Sequence, residues 1–317
     1  VISGKGAVSA ATAARVRQAI AELDFRPSHT ARALLTGCSQ MIGVYIPMLR
    51  GAFYSPILQL VDTELRANGQ HMVVAIGSGR GTPHEQTREG ITFLHGRGCD
   101  GIVVVSNALA DEDVEKLGAI STSIVVVNHI VPSIKEQCFA VDHRQGGRLA
   151  ARTLLEAGHR RLAAISGPPD VPDNALRMEG FLKEVAAQLG SADGVAIVTG
   201  DFSPASGRQA ADTLLAAGDR FTALFCANDE MAIGALSCFQ QAGIQVPQRV
   251  SVLGYDDIPT AEYAAPPLTS VHVPWATMTH NALNFLLNRC YGNERPVRRR
   301  FSATVTWRAS VAAARRR

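Results

Sequence analysis

From Met41 onward, short apolar runs alternate with longer stretches whose apolar positions recur every three to four residues. The runs are Met41 to Ile46, His71 to Ile76, Gly101 to Val105, Ser123 to Val127, Arg161 to Ile165, Val195 to Val198, Thr222 to Cys226 and Val250 to Leu253. Their length and β-branched content predict buried strands, and the stretches between most of them predict helices. In the helix predicted over Asp173 to Leu189, Met178, Leu182, Val185 and Leu189 form one apolar face. Strict β-α alternation implies parallel sheets with helices on both sides. The pattern falls into two similar halves, one starting at Met41 and one at Arg161, each expected to be a doubly wound α/β lobe.

The chain before Met41 reads differently. Ser9 is placed to cap a helix reaching about Leu23, with Val16, Ala19, Ile20 and Leu23 on one stripe. Phe25-Arg26-Pro27 breaks it. Ser28 to Leu35 is expected to form a second, short helix, and Thr36 to Gln40 a linker.

In parallel α/β sheets ligands bind at the carboxyl ends of the strands. Those ends are where this sequence places polar and aromatic residues: Phe53-Tyr54, Asn128, Asp142, Asp201-Phe202, Asn228 and Asp256, with Arg177 early on its helix. Alone, each has an ordinary role in capping or packing. Together they are the inventory of a site for a neutral, hydroxyl-rich molecule, with aromatic faces for C–H surfaces and Asn, Asp and Arg for hydroxyls. A buried Arg177 near Asp256 would also balance charge.

Composition narrows the classes. The net charge of +3 excludes a polyelectrolyte binder as a whole, although Lys5, Arg15, Arg17, Arg26 and Arg32 make the N-terminal segment basic. The cysteines are scattered with no C-x-x-C, which argues against a zinc site or a disulfide framework. No apolar stretch is long enough for a bilayer and no signal-peptide core is present, so a cytoplasmic location is expected, without membrane contact. Gly77 to Gly81 follows a strand but lacks dinucleotide-loop spacing. No nucleophile–base constellation, metal set or cofactor motif is found, so catalytic residues, metal and cofactor are all expected to be absent.

Motifs in order along the chain carry a resemblance. They are Phe25-Arg26-Pro27 with Ala31-Arg32-Ala33-Leu34, Gly158-His159-Arg160-Arg161, Ala175 to Phe181, Gly200-Asp201-Phe202-Ser203, Ala227 to Ala232, Gly254-Tyr255-Asp256-Asp257 and Pro267 to Val271. The chain resembles the LacI/GalR family of transcription repressors. Val127 to Pro132 and Cys138 to Asp142 suggest the galactose-repressor branch.

The resemblance implies a periplasmic-binding-protein-like two-lobed core behind a DNA-binding headpiece and hinge helix. It implies a homodimer whose partners are operator DNA and a small sugar, with galactose or a related hexose as candidate. The implied effector contacts are Phe53, Asn128, Arg177, Phe202, Asn228 and Asp256, with Trp275 as a further stacking residue. The implied DNA contacts are Ser28, Arg32 and Leu34 on the hinge helix, Leu34 as the minor-groove wedge. The expected division is a headpiece remnant over 1–27, hinge and linker over 28–40, and the effector-binding core over 41–317. Within the core, the first lobe takes about 41–142 and a return near 274–300, and the second about 143–273 and the C-terminal segment. The family's base-reading helix is expected to precede Val1, so the chain as written is expected to bind effector and dimerise but to lack major-groove readout. The alternatives are a sugar-binding protein of a transport system and a Rossmann-type enzyme.

Overall fold

The computed structural model describes residues 8–23, 37–218 and 221–314. The predicted Ser28 to Leu35 helix, with Ser28, Arg32 and Leu34, lies outside the described residues. Helix α1 (Ala10–Glu22) starts where expected, with the Ser9 hydroxyl accepting the Thr12 N–H at 3.2 Å. None of its side chains is buried, and Leu23 just beyond it is 77% exposed.

Two sheets follow. The first contains β1 (Met41–Ile46), β2 (His71–Ile76), β3 (Gly101–Val104), β4 (Ile124–Val127) and β5 (Cys138–Phe139), in the order β2-β1-β3-β4-β5, all parallel. Its helices are α2 (Tyr54–Ala67), α3 (Pro83–Gly96) and α4 (Asp111–Leu117). The second contains β6 (Leu162–Ser166), β7 (Ala196–Thr199), β8 (Ala223–Cys226), β9 (Ser251–Asp256), β10 (Thr269–His272) and β11 (Thr304–Thr306). Its order is β7-β6-β8-β9-β10-β11, with only β11 antiparallel. Helices α5 (His143–Glu156), α6 (Pro172–Leu189), α7 (Pro204–Ala216) and α8 (Asp229–Gln241) belong to this half.

Both sheets therefore repeat one strand order, with the reversal beside β1 and beside β6. A doubly wound sheet opens a crevice at such a reversal, beyond the carboxyl ends of the strands. The chain crosses between halves three times: after β5 into α5, after β10 into α9 (Trp275–Tyr291), and from α9 back to β11. Helix α9 packs on β3, β4, β5 and α2, so it belongs to the first half despite its late position.

The core is divided in the same way. Ile42, Val44, Ile46, Val103 and Val125 meet Leu283 and Leu286 of α9 on one face of the first sheet. Ile91, Leu94, Val104 and Val126 fill the other face. A separate cluster built on Ala163, Ile165, Leu224, Phe225, Val252 and Tyr255 fills the second half. The central strands β1, β3, β4, β6, β8 and β9 are buried on both faces, which is why they read as continuous apolar runs.

The short strands β5, β10 and β11 were not predicted, because two to four residues rich in Thr, Ser and Cys carry no periodicity. On α6 the buried face is centred on Phe181, which stacks on Phe225 at 4.6 Å, while Leu182 and Leu189 are half-buried. The rotation follows from close packing of α5 and α6. A Cβ on Gly147 would meet the Arg177 carbonyl, and one on Gly180 the Arg144 carbonyl.

Two polar hubs fix the ends of the core. Asp100 accepts the Ser39 N–H and the Gln40 N–H at 2.8 Å each and the Tyr291 hydroxyl at 2.7 Å, clamping the linker onto the first half. Buried His159 binds Thr222 at 3.0 Å and Ser251 at 3.1 Å, and its Nε2–H donates to the Ala312 carbonyl at 3.0 Å. That histidine holds the C-terminal segment against the second sheet.

Candidate functional site

The carboxyl ends of β4, β8 and β9 face one another between the two halves. Arg177, one turn into α6, is 5% exposed. Its guanidinium lies 3.6 Å from the centroid of the Tyr255 ring. One amino group donates to the Ala227 carbonyl at the end of β8. The other lies 3.9 Å from Asp256 Oδ1 and 3.5 Å from His143 Nδ1. Nε has no partner. The charge balance expected between Arg177 and Asp256 is therefore present, as a long pair with room for more contacts.

Asp256 ends β9 with φ of 103°, a backbone state that L-residues adopt rarely and that clusters at functional sites. Burial pushes its carboxyl up to about 7, against the pull of Arg177 and with the push of Glu230 and Asp173. Asn128, after β4, is also left-handed, with φ of 71°. Its amide donates to Asp173 Oδ2 at 3.2 Å and its Oδ1 accepts from His143 Nε2 at 2.9 Å. That assignment leaves His143 Nδ1 free to accept the Tyr255 hydroxyl at 3.0 Å. Burial, and then the Arg177 charge, hold His143 down to about 4, so it is neutral. The result is a hydrogen-bonded chain, Asp173–Asn128–His143–Tyr255, joining a first-half loop to α5, α6 and β9.

Asn228 caps α8 through the Met231 N–H at 2.9 Å and spends its amide on the Phe202 carbonyl at 2.9 Å. Phe202 is left-handed at φ 69° and rests on Gly167, where a Cβ would meet its ring. Neighbouring Asp229 is fully buried. It accepts the Ile258 N–H at 2.8 Å and the Ser270 hydroxyl at 2.6 Å, so it braces the loop after β9. Across the cleft, the Phe53 and Trp275 rings meet edge to face at 4.5 Å, and Phe53 also touches Tyr54 at 5.0 Å. Burial and then Asp256 raise the Tyr54 hydroxyl above the usual tyrosine range, so this aromatic group borders the same charges.

All seven sequence-predicted effector residues thus lie in or beside one inter-lobe cluster. Asp142 and Asp201 do not: Asp142 caps α5 and Asp201 accepts the Ser203 N–H, both exposed. The sequence reading missed His143, Asp173, Tyr255 and Glu230 as site residues, and named Tyr54 only beside Phe53. His143, Asp173 and Glu230 lie in the first turns of helices that follow strand ends, the position that flagged the others, so position alone would have found them. An open surface groove of about 470 Å³ lined by Arg88, Thr92 and Lys116 shares no residue with the cluster. Among the described residues no acidic, His and Cys group is placed to hold a metal, and no helix is long and apolar enough to cross a membrane.

A family model described as a periplasmic binding protein-like domain matches residues 151–311. The HTH-type transcriptional regulator GalS of Salmonella typhimurium is 34% identical over 292 residues, which is 92% of this chain and 85% of that protein. The chain belongs to the LacI/GalR family of transcriptional regulators. A LacI-family transcriptional regulator from Burkholderia phymatum is 49% identical, with a TM-score of 0.82 over 86% of this chain and 99% of that one. The lac repressor dimer bound to operator and an anti-inducer is 26% identical, with a TM-score of 0.84 over 98% of this chain and 93% of that one. The chain is therefore a DNA-binding regulator with an effector core, not an enzyme, and regulator is favoured over transport-system binding protein.

Proposed function

We propose that this regulator represses sugar-utilisation genes as a homodimer and releases its operator when a hexose, galactose or a close relative, occupies the inter-lobe cluster. The observation that carries the reading is the buried Arg177–Asp256 pair at 3.9 Å, joined to Asn128 through His143 and reaching the Ala227 carbonyl next to Asn228. Planar donors, a carboxyl and amides suit vicinal hydroxyls, and the Phe53–Trp275 edge suits the apolar face of a pyranose.

Phe53, Asn128, Arg177, Phe202, Asn228, Asp256 and Trp275 are the proposed effector contacts. Ser28, Arg32 and Leu34 are the proposed DNA contacts, by resemblance. The lac repressor dimer on its operator supports the dimer and the DNA partner. The core division is proposed as a first lobe of about 41–142 with the 274–300 return, and a second of about 143–273 with the C-terminal segment.

A ligand does regulatory work only through its different affinity for two arrangements, with typical coupling of ~1–3 kcal/mol. The Asp100 clamp on Ser39 and Gln40 supplies the route, since it ties the linker rigidly to the first lobe. The test is fluorescence anisotropy on a duplex selected by the protein from random sequence, titrated with D-galactose and other hexoses. Release by a hexose supports the reading; binding indifferent to all of them refutes it.

A further inference from the structure

The loop after β1 belongs to the first lobe by chain order, yet it does not pack only there. Ala52 and Phe53 rest against the hydrophobic core of the second half. At its tip, the Ala52 N–H donates to Glu230 Oε1 at 2.5 Å, between residues 178 apart in sequence. Glu230 lies in the first turn of α8, directly after Asn228 and Asp229. Gly51 is left-handed, with φ of 88°, and a Cβ there would run into the Glu230 carboxylate. Only glycine adopts that conformation freely and leaves room for so close an approach.

A backbone N–H to a carboxylate is a charge-assisted bond, among the strong ones available to a protein. This one spans the two lobes and touches none of the proposed effector contacts except through chain neighbours. We propose that Glu230 is a positioning residue for lobe closure: its carboxylate latches the Gly51–Ala52 backbone onto the second lobe and holds the cleft shut. The bond exists only when the lobes are together, so its energy adds to whatever a ligand supplies toward closure. In its consequence for the effector, the inference rests on the reading of the cleft as the ligand site.

The first test needs no ligand. Amide hydrogen exchange at Ala52 is compared in wild type, Glu230→Ala, Glu230→Gln and Gly51→Ala. Glu230→Ala is expected to speed exchange at Ala52 at least about tenfold, with core amides unchanged, because a closed-only bond protects that one amide. Glu230→Gln, which keeps a carbonyl acceptor, should fall between. Gly51→Ala should reproduce the loss from the opposite lobe with α8 intact, and it carries the test if Glu230→Ala fails to fold. Small-angle scattering should show a larger radius of gyration for both alanine variants. Equal Ala52 exchange in wild type and Glu230→Ala, or faster exchange with unchanged dimensions, overturns the proposal.

A second arm adds D-galactose by calorimetry. About tenfold weaker affinity in Glu230→Ala is expected, with the Arg177 contacts intact. Wild-type protein that binds no hexose sinks the proposed function, while the ligand-free exchange still decides the latch.

Discussion

The Arg177 guanidinium lies 3.6 Å from the centroid of the Tyr255 ring, and both side chains are buried. The flat cation is held by that aromatic face, and its amino groups reach the Ala227 carbonyl and, at 3.9 Å, Asp256. An ammonium has neither the plane nor the fork. Arg177→Lys is therefore expected to weaken hexose binding at least about tenfold despite keeping the charge, by ~1.4 kcal/mol or more. Calorimetry on folded protein of unchanged circular dichroism checks it. Unchanged affinity in the lysine variant would show that the stack does not matter.

Asp256 and His143, both displaced within the cluster, act on stability with opposite signs. Asp256 is raised to about 7, so between its ordinary value and 7 the native state holds the extra proton, and its contribution falls as pH rises. His143 is lowered to about 4, so between 4 and its ordinary value the unfolded state holds the extra proton, and its contribution rises with pH. Each slope is about 1.4 kcal/mol per pH unit within its own window. Measured as the difference from wild type in urea unfolding from pH 4 to 7.5, Asp256→Asn should gain stability with rising pH up to about 7, and His143→Gln should lose it up to about 6.5. Parallel profiles for the two variants would contradict both assignments.

Gly147 places α6, and with it Arg177. A methyl there would meet the Arg177 carbonyl, which is helix backbone and cannot turn aside. Gly147→Ala is expected to cost ~1–3 kcal/mol in stability, as overpacking does. It should also weaken hexose binding, because the helix that carries the guanidinium must shift. Denaturant midpoint and calorimetric affinity read the two effects separately.

Parallel sheets buried on both faces print themselves as unbroken apolar runs, so β1, β3, β4, β6, β8 and β9 were legible in the sequence, as was the doubly wound repeat. The polar residues that close those runs pointed to Asn128, Asn228 and Asp256 for the same reason. Their partners were hidden because they come from other elements. Tyr255 sits inside a strand and looks like core, and only the fold turns its hydroxyl toward His143. Glu230 reads as one more acidic residue in a helix's first turn, and its meeting with Ala52 depends on how the two lobes close. On α6, Leu182 fitted the helical period, but glycine contacts with α5 turned Phe181 inward instead.

His159 holds the C-terminal segment around Ala312 through Ser251 and the Ala312 carbonyl. Replacing it by leucine keeps the volume but removes its hydrogen bonds to Thr222, Ser251 and the Ala312 carbonyl, each worth about 0.5–1.5 kcal/mol net. His159→Leu is expected to lower the thermal midpoint and to speed proteolysis near residue 312, while hexose affinity is retained. Loss of hexose binding with no loss of stability would contradict that role.

The most direct measurement is calorimetric titration of wild type, Arg177→Ala and Asp256→Asn with a panel of neutral hexoses under identical buffer. The account predicts one-site binding of at least one hexose to wild type, and its loss in both variants while their folds persist. Binding of equal strength in all three proteins would place the ligand elsewhere and contradict the account.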